Sequence, residues 1–431
     1  MNNFEVKKRP CSRALGLFGF VYFFVLIILL LMRSCYGSGA DERVAQFEKG
    51  LHAQPEMDVS QMFQYGAARL DLTERMKHYG VPGLSVTVID DTAIDWYRTW
   101  GVRDAVSGAL VTPGTRFEAA SASKLVTAVM VMKLVEQGVL DLDAPVNGYL
   151  ERWQIPDNEL TRGRAVSLRQ LLSHSSGMNR PDSMYFFTEG SSPTLLDVLN
   201  GALPAINDAA LIEYPPGRQH RYSNLAYNVI QLLMEEVTGL PFQQVMQEGI
   251  FDPLGMSTCS YRFPFSAAEL AVTAFPHDDQ GKPRMNDLHP AALAHGGLLC
   301  SSQDLARLTV ALMESIQGEG GGLLAMETAA GMLEEQHVVE ENVGGFNGQG
   351  LGMFLLTDGQ TTWFAHHGYN TPGTGSLIFA NPQSGDGVVI MANGADAFSL
   401  VFEILAGLAD LYDWPEVKTD PQTPVSSGSS P

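Results

Sequence analysis

The sequence predicts an α+β fold: one antiparallel sheet flanked by helices, with an all-helical domain inserted between the halves of the sheet. Strand patterns cluster at both ends of the body, over residues 84–102 and 351–393, whereas about 140–295 reads as loops and helices. A sheet drawn from both ends and covered by helices buries all of these apolar faces in one body. The chain has 431 residues, 45% apolar and 17% charged, which is ample for a sizeable core.

The elements follow in order. Lys7, Lys8, Arg9 and Arg13 precede an uncharged, mostly apolar run from Ala14 to Met32, close to the roughly 20 residues that span a bilayer. The basic flank keeps that end in the cytoplasm and places everything downstream outside. The run exceeds a signal-peptide apolar core, which favours an attached anchor over residues 1–33. The alternative is a cleaved signal with Ser38-Gly39-Ala40 as its small-residue site, and Cys35 stands where a lipidated cysteine could stand. Residues 34–60 read as a polar connector, and the folded body is assigned to 61–412. Within it the sheet comes from 61–120 and 296–412, with the helical insert at about 140–295.

Met62–Tyr79 has helical spacing and stops at Gly80. Leu84–Asp90 and Ile94–Val102 form a hairpin about Asp90-Asp91. Phe117–Gly138 reads as one long apolar helix, Leu225–Thr238 as an amphipathic one ended by Gly239, and Asp304–Glu314 as another. Four strands follow, Leu351–Thr357, Thr361–His367, Gly375–Asn381 and Gly387–Asn393, separated by glycine turns. Phe398–Tyr412 is a last helix, and the Pro/Ser/Thr-rich tail 413–431 is disordered by composition.

The charge excludes some functions. Forty-eight acidic against 27 basic residues give −21, which disfavours nucleic acid as a partner and disfavours peripheral binding to anionic lipid. A single run of spanning length rules out a multi-span transporter. Of four cysteines, Cys259 and Cys300 lie in the exported body, where a pair is able to oxidise. Two separate buried thiols are the simpler reading. No cysteine or histidine spacing suits a metal.

Ser121 and Lys124 stand at i and i+3 on the apolar helix, so hydroxyl and amine share one face. A serine needs an adjacent base, and lysine serves as one when desolvation lowers its pKa. The helix N-terminus offers N–H groups to a developing oxyanion. Tyr222-Ser223-Asn224 precedes the amphipathic helix: a phenol there relays protons and an asparagine orients a carbonyl, or the asparagine merely caps the helix. His366-His367-Gly368 ends a strand, where a glycine permits close approach and a histidine titrates near neutrality.

The order SxxK (Ser121, Lys124), YxN (Tyr222, Asn224) and HxG (His366, Gly368) resembles the serine β-lactamase/penicillin-binding-protein superfamily, in its class C-like branch. LLSHSSGM (171–178), YPPGRQHRYSNLAYNVI (214–230), FDPLGM (251–256) and HGGLLCSSQDLARL (295–308) are similar to stretches of the same family, and the resemblance covers roughly 60–412. It implies a β-lactamase/transpeptidase-like fold and an acyl-enzyme on Ser121. Lys124 would be the base and Tyr222 part of the proton path. Asn224 and His366 would hold substrate, and the N–H groups of Ser121 and Tyr369 would form the oxyanion hole. It implies no metal or organic cofactor, and a small ester, amide or peptide substrate.

The family often has lysine where His366 stands. A lysine is a fixed charge for a substrate carboxylate, so its loss points toward esterase or peptidase action rather than efficient β-lactam hydrolysis. Arg218 and Arg221 are candidates to restore that charge. His174 reads as scaffold. Cell-wall carboxypeptidase or β-lactamase action is the second reading, and a tethered, non-turning-over binding protein the third.

Overall fold

A computed structural model describes residues 39–52, 69–180, 192–261, 266–284, 293–319, 322–339, 345–370 and 373–414. Its centre is a nine-stranded antiparallel sheet. In chain order the strands are β1 (Gly83–Asp90), β2 (Ala93–Asp104), β3 (Ala109–Leu110), β4 (His337–Val338), β5 (Gly348–Gln349), β6 (Phe354–Thr357), β7 (Thr362–Asn370), β8 (Thr374–Asn381) and β9 (Asp386–Ala392). Across the sheet they run β3-β2-β1-β9-β8-β7-β6-β5-β4. The joint between the two ends of the body is β1 against β9, with Leu84 opposite Ala392 and Val88 opposite Val388.

Both faces of the sheet are buried, which is why its central strands read as nearly unbroken apolar runs. Leu84, Val86, Val88, Leu377, Phe379, Val388 and Ile390 enter a core with α4 (Ala397–Leu411). Ile378, Ala380, Val389 and Met391 enter the larger core, with α1 (Ser123–Glu136), α2 (Asn224–Thr238) and α3 (Ser302–Gln317). The polar exceptions are paired: Ser85 and Thr87 each share a 2.7 Å hydrogen bond with the Ser302 hydroxyl on α3. α2 is capped by the Ser223 hydroxyl, which accepts from the N–H of Ala226, and stops at Gly239 in a left-handed conformation. The helical insert and the two-ended sheet agree with the expected fold class.

Several expectations change. Phe117–Gly138 is not one helix. Phe117–Glu118 is a short strand paired with Leu299–Cys300, Ala120–Ala122 is a 3₁₀ turn, and only then does α1 begin. That pairing needs the backbone extended just where apolar periodicity alone suggests helix. The stretch 39–52 is not a bare connector. Residues 39–48 are helical and Leu51–His52 pairs with Arg69–Leu70, because Val44, Phe47 and Leu51 have apolar surface to bury against the sheet and α4. At the other end Trp414 is buried against Trp363, so the packed body runs through that residue.

Cys259 and Cys300 are joined as a disulfide rather than separate thiols. Reciprocal backbone bonds between Ser260 and Leu299 (2.8 and 3.0 Å) set the two cysteines side by side. The apolar run 14–32, residues 62–68 of the expected 62–79 helix and the tail from 415 lie outside the described residues; in the described part of that helix Arg69–Leu70 is extended, paired with Leu51–His52, and only Leu72–His78 is helical. Among the described residues no helix is long and apolar enough to cross a membrane.

Candidate active site

The turn that carries Ser121 is squeezed between three elements. Ala119 donates its N–H to the carbonyl of Leu298 (2.8 Å), and its own carbonyl accepts from the Ser376 hydroxyl on β8 (2.6 Å). Ala120 takes a φ of +46°, a left-handed conformation costing an alanine about 1–2 kcal/mol. Strain of this kind persists only where surroundings over-determine it. The outcome is that Ser121 sits in the tight turn at the N-terminal end of α1, half-exposed, while its neighbours are buried.

Lys124, in the first turn of α1, is fully buried. Its Nζ lies 3.2 Å from Ser121 Oγ and donates to the carbonyl of His295 (2.7 Å). It also lies 4.9 Å from the centre of the Tyr222 ring and 5.5 Å from that of Tyr227. Burial, with a smaller push from Arg180, holds its pKa well below the ordinary lysine value. With one N–H held by that carbonyl and the Ser121 hydroxyl in hydrogen-bond reach, the amine is placed to exchange a proton with Ser121 Oγ.

Tyr222 is positioned by His174. The imidazole packs on the phenol ring at 4.2 Å, and its Nδ1 accepts the N–H of Ser223 (3.2 Å). His174 is buried, adopts a left-handed φ of +54°, and is kept neutral by burial. Its scaffold role is therefore geometric: it holds the backbone and the ring of the tyrosine loop together. Asn224 opens α2, but Ser223 rather than Asn224 caps it, and Asn224 is not in the cleft wall.

On β7, β6 pairs with Thr362–Ala365 alone, so residues 366–370 run past it and leave their edge toward the turn that carries Ser121. The strand alternates here. His366 faces inward and is 2% exposed, with its ring 6.5 Å from Tyr222 and its Nδ1 donating to the carbonyl of His367 (2.8 Å). Burial first, then Lys124, lowers its pKa well below the usual histidine value. The wall position expected of His366 is taken by His367, one residue on, and by Tyr369. A side chain at Gly368 would put its Cβ 2.2 Å from the Ala119 carbonyl oxygen. The close approach this glycine permits is therefore that of the nucleophile turn, not of a substrate. At the strand end, Asn370 and Thr374 both donate to the buried carboxylate of Glu118 (3.2 and 3.3 Å), three residues before Ser121.

Over this floor lies a half-open cleft of about 230 Å³, lined by Ser121, Arg180, His220, Tyr222, Val339, Phe354, His367, Tyr369 and Phe398. The positive group in that wall is Arg180, whose guanidinium lies 5.4 Å from the Tyr222 ring centre. Arg218 and Arg221 do not line it; Arg221 is exposed and stacks on Tyr214.

The Beta-lactamase family model matches residues 69–406. The chain belongs to this family. The penicillin-binding protein 4 of Amycolatopsis lactamdurans is 28% identical over 366 residues, covering 81% of this chain and 91% of that one. Esterase EstB of Burkholderia gladioli is 30% identical over 51% of this chain and 57% of its own. A putative D-alanyl-D-alanine carboxypeptidase of Escherichia coli O157:H7 is 27% identical, and the match spans less than half of it, 43%. Among solved structures, a penicillin-binding protein homologue from Pyrococcus abyssi superposes with a TM-score of 0.65 at 24% identity, covering 83% of this chain and 78% of that one, a likeness of fold.

Proposed function

We propose that the chain hydrolyses ester or amide bonds through an acyl-enzyme on Ser121. The observation that carries this is the fully buried Lys124 amine, held below its ordinary pKa and 3.2 Å from Ser121 Oγ. In this reading the amine takes the hydroxyl proton as Oγ attacks the carbonyl carbon. The oxyanion is met by the N–H groups of Ser121 and Tyr369. The proton passes along Lys124 and Tyr222 to the departing oxygen or nitrogen as its bond to the carbonyl breaks. Water then cleaves the acyl-serine ester by the same proton path in reverse.

Intact-mass measurement after incubation with a fluorophosphonate tests the reading. One adduct on the wild type, absent from Ser121→Ala, is expected. No adduct on the wild type, or one that survives the substitution, sinks it.

The names of two relatives favour a second reading, a carboxypeptidase or penicillin-binding activity on cell-wall peptides. Cleavage of a D-Ala-D-Ala peptide or nitrocefin well above that of simple p-nitrophenyl esters supports it, and the reverse order counts against it. The basic residues before the apolar run at 14–32 support an exported body, tethered if the run is retained.

A further inference from the structure

Five bases surround the Ser121 hydroxyl or line its cleft, and burial separates them. His220 lines the cleft half-buried, its Nε2 3.2 Å from the Gln349 side-chain oxygen. Lys124 lies beneath the floor, and His366 lies behind the wall. His367 lines the cleft but packs among Phe346, Phe354, Phe398 and Phe402, an apolar setting that disfavours an imidazolium. Arg180 alone of the five is exposed at the cleft, and a guanidinium keeps its charge. Among the described residues it forms no salt bridge, and the described cleft wall contains no Asp or Glu.

Its position relative to the chemistry is specific. Arg180 lies over the Tyr222 ring, 5.4 Å from its centre, and Lys124 Nζ lies 4.9 Å from the same centre. In the acyl-enzyme reading the proton leaves along Lys124 and Tyr222, so the leaving group departs past that ring and beneath the guanidinium.

We propose that Arg180 is the specificity-determining residue of this site, holding a carboxylate borne on the leaving-group side of the scissile bond. The proposal rests on the acyl-hydrolase reading and deepens it. The substrates it selects are esters or amides whose leaving alcohol or amine carries a free carboxylate. Such a role reverses the expectation drawn from His366: the charge missing from the strand is supplied by a cleft residue outside it. Recognition by a planar two-pronged donor also differs from recognition by a lysine point charge.

The acetate ester of 4-hydroxybenzoate and the acetate ester of its methyl ester test the assignment. In each, acetyl passes to Ser121 and the phenol leaves with the serine proton. Water then releases acetate and a proton, so the two reactions balance alike and differ in the charge of the leaving group. Each kcat/KM is divided by the rate of the same ester with hydroxide, and the acid-to-neutral ratio is compared across variants at low salt.

The wild type is expected to favour the carboxylate by about tenfold or more, the scale of one charge-assisted contact. Arg180→Gln should bring the ratio to near one, Arg180→Lys should keep part of it, and added salt should erode it in the wild type. A wild-type ratio near one, or an Arg180→Gln variant that loses activity equally on both esters, overturns the proposal. The fluorophosphonate adduct separates the two failures. With an adduct, turnover of both esters and a flat ratio, only the role of Arg180 falls. With neither adduct nor turnover, the acyl-hydrolase reading falls and takes this one with it.

Discussion

Lys124 and Arg180 address the same tyrosine ring and are built to opposite specifications. Lys124 is fully buried, fixed by a carbonyl and a serine hydroxyl, and held below its usual pKa. Arg180 is exposed and sits at the mouth of the cleft. One ring thus separates a packed half of the site from an open half. Burial lowers the pKa of one basic residue and leaves the other in water; in the proposed reading the first serves as base and the second holds a ligand. In the proposed reading the packed half sets the chemistry and the open half chooses the substrate.

The largest effect should come from the packed half. Lys124→Met removes the amine but leaves a neutral chain of similar length, so no buried charge is stranded. The expected loss in kcat/KM is about 10²–10⁴, typical of a lost general base, with the melting temperature nearly kept. Arg180→Met, at the open half, should cost a neutral ester far less. If the two variants lose equally on a neutral ester, the division between the halves is wrong.

One added methyl should separate the halves next. Gly368→Ala places a Cβ against the Ala119 carbonyl oxygen at 2.2 Å and the Ser376 hydroxyl at 2.4 Å. One of those contacts must move, at a cost of roughly 1–3 kcal/mol. The turn that moves carries Ser121, so thermal stability and kcat should fall together. Arg180→Ala removes many more atoms, yet it should shift stability by only about 0.5 kcal/mol because the side chain is exposed. An alanine at 368 that melts like the wild type would show the turn to be loosely held.

What the sequence made legible follows the same division. Ser121, Lys124 and Tyr222 were readable because each needs a particular functional group at a particular spacing. The central strands were readable because burial on both faces leaves an unbroken apolar run. The short strand at Phe117–Glu118 was not, since its pairing with Leu299–Cys300 is nonlocal and its apolar residues also suit a helix. His367 was hidden by its neighbour: which of two adjacent histidines faces the cleft depends on the register of β7, and a one-residue difference reverses it. Arg180 lies two residues past LLSHSSGM with no motif of its own, and an isolated exposed arginine gives no pattern to find. Cys259 and Cys300 were countable, but their pairing depends on the bridge between Ser260 and Leu299.

The smallest effect, and the one that tests burial itself, is acid stability. His174, His366 and His367 are all pushed below the ordinary histidine value of about 6.5 by burial, His367 to about 4. Between those values the unfolded chain binds protons that the folded chain refuses. Stability is therefore full above about pH 6.5 and is lost as the pH falls through that value toward 4. His367 alone accounts for at most about 3.5 kcal/mol of this loss, at about 1.4 kcal/mol per pH unit. Denaturant unfolding at pH 7 and pH 4.5 should show a steep loss in the wild type and a shallower one in His367→Asn. Arg180→Gln should keep the wild-type slope, because a guanidinium stays protonated in both states across this range. A His367→Asn variant with an undiminished slope would mean that the imidazole meets enough water to ionise where it stands, and His367 would then belong with Arg180 in the open half of the site.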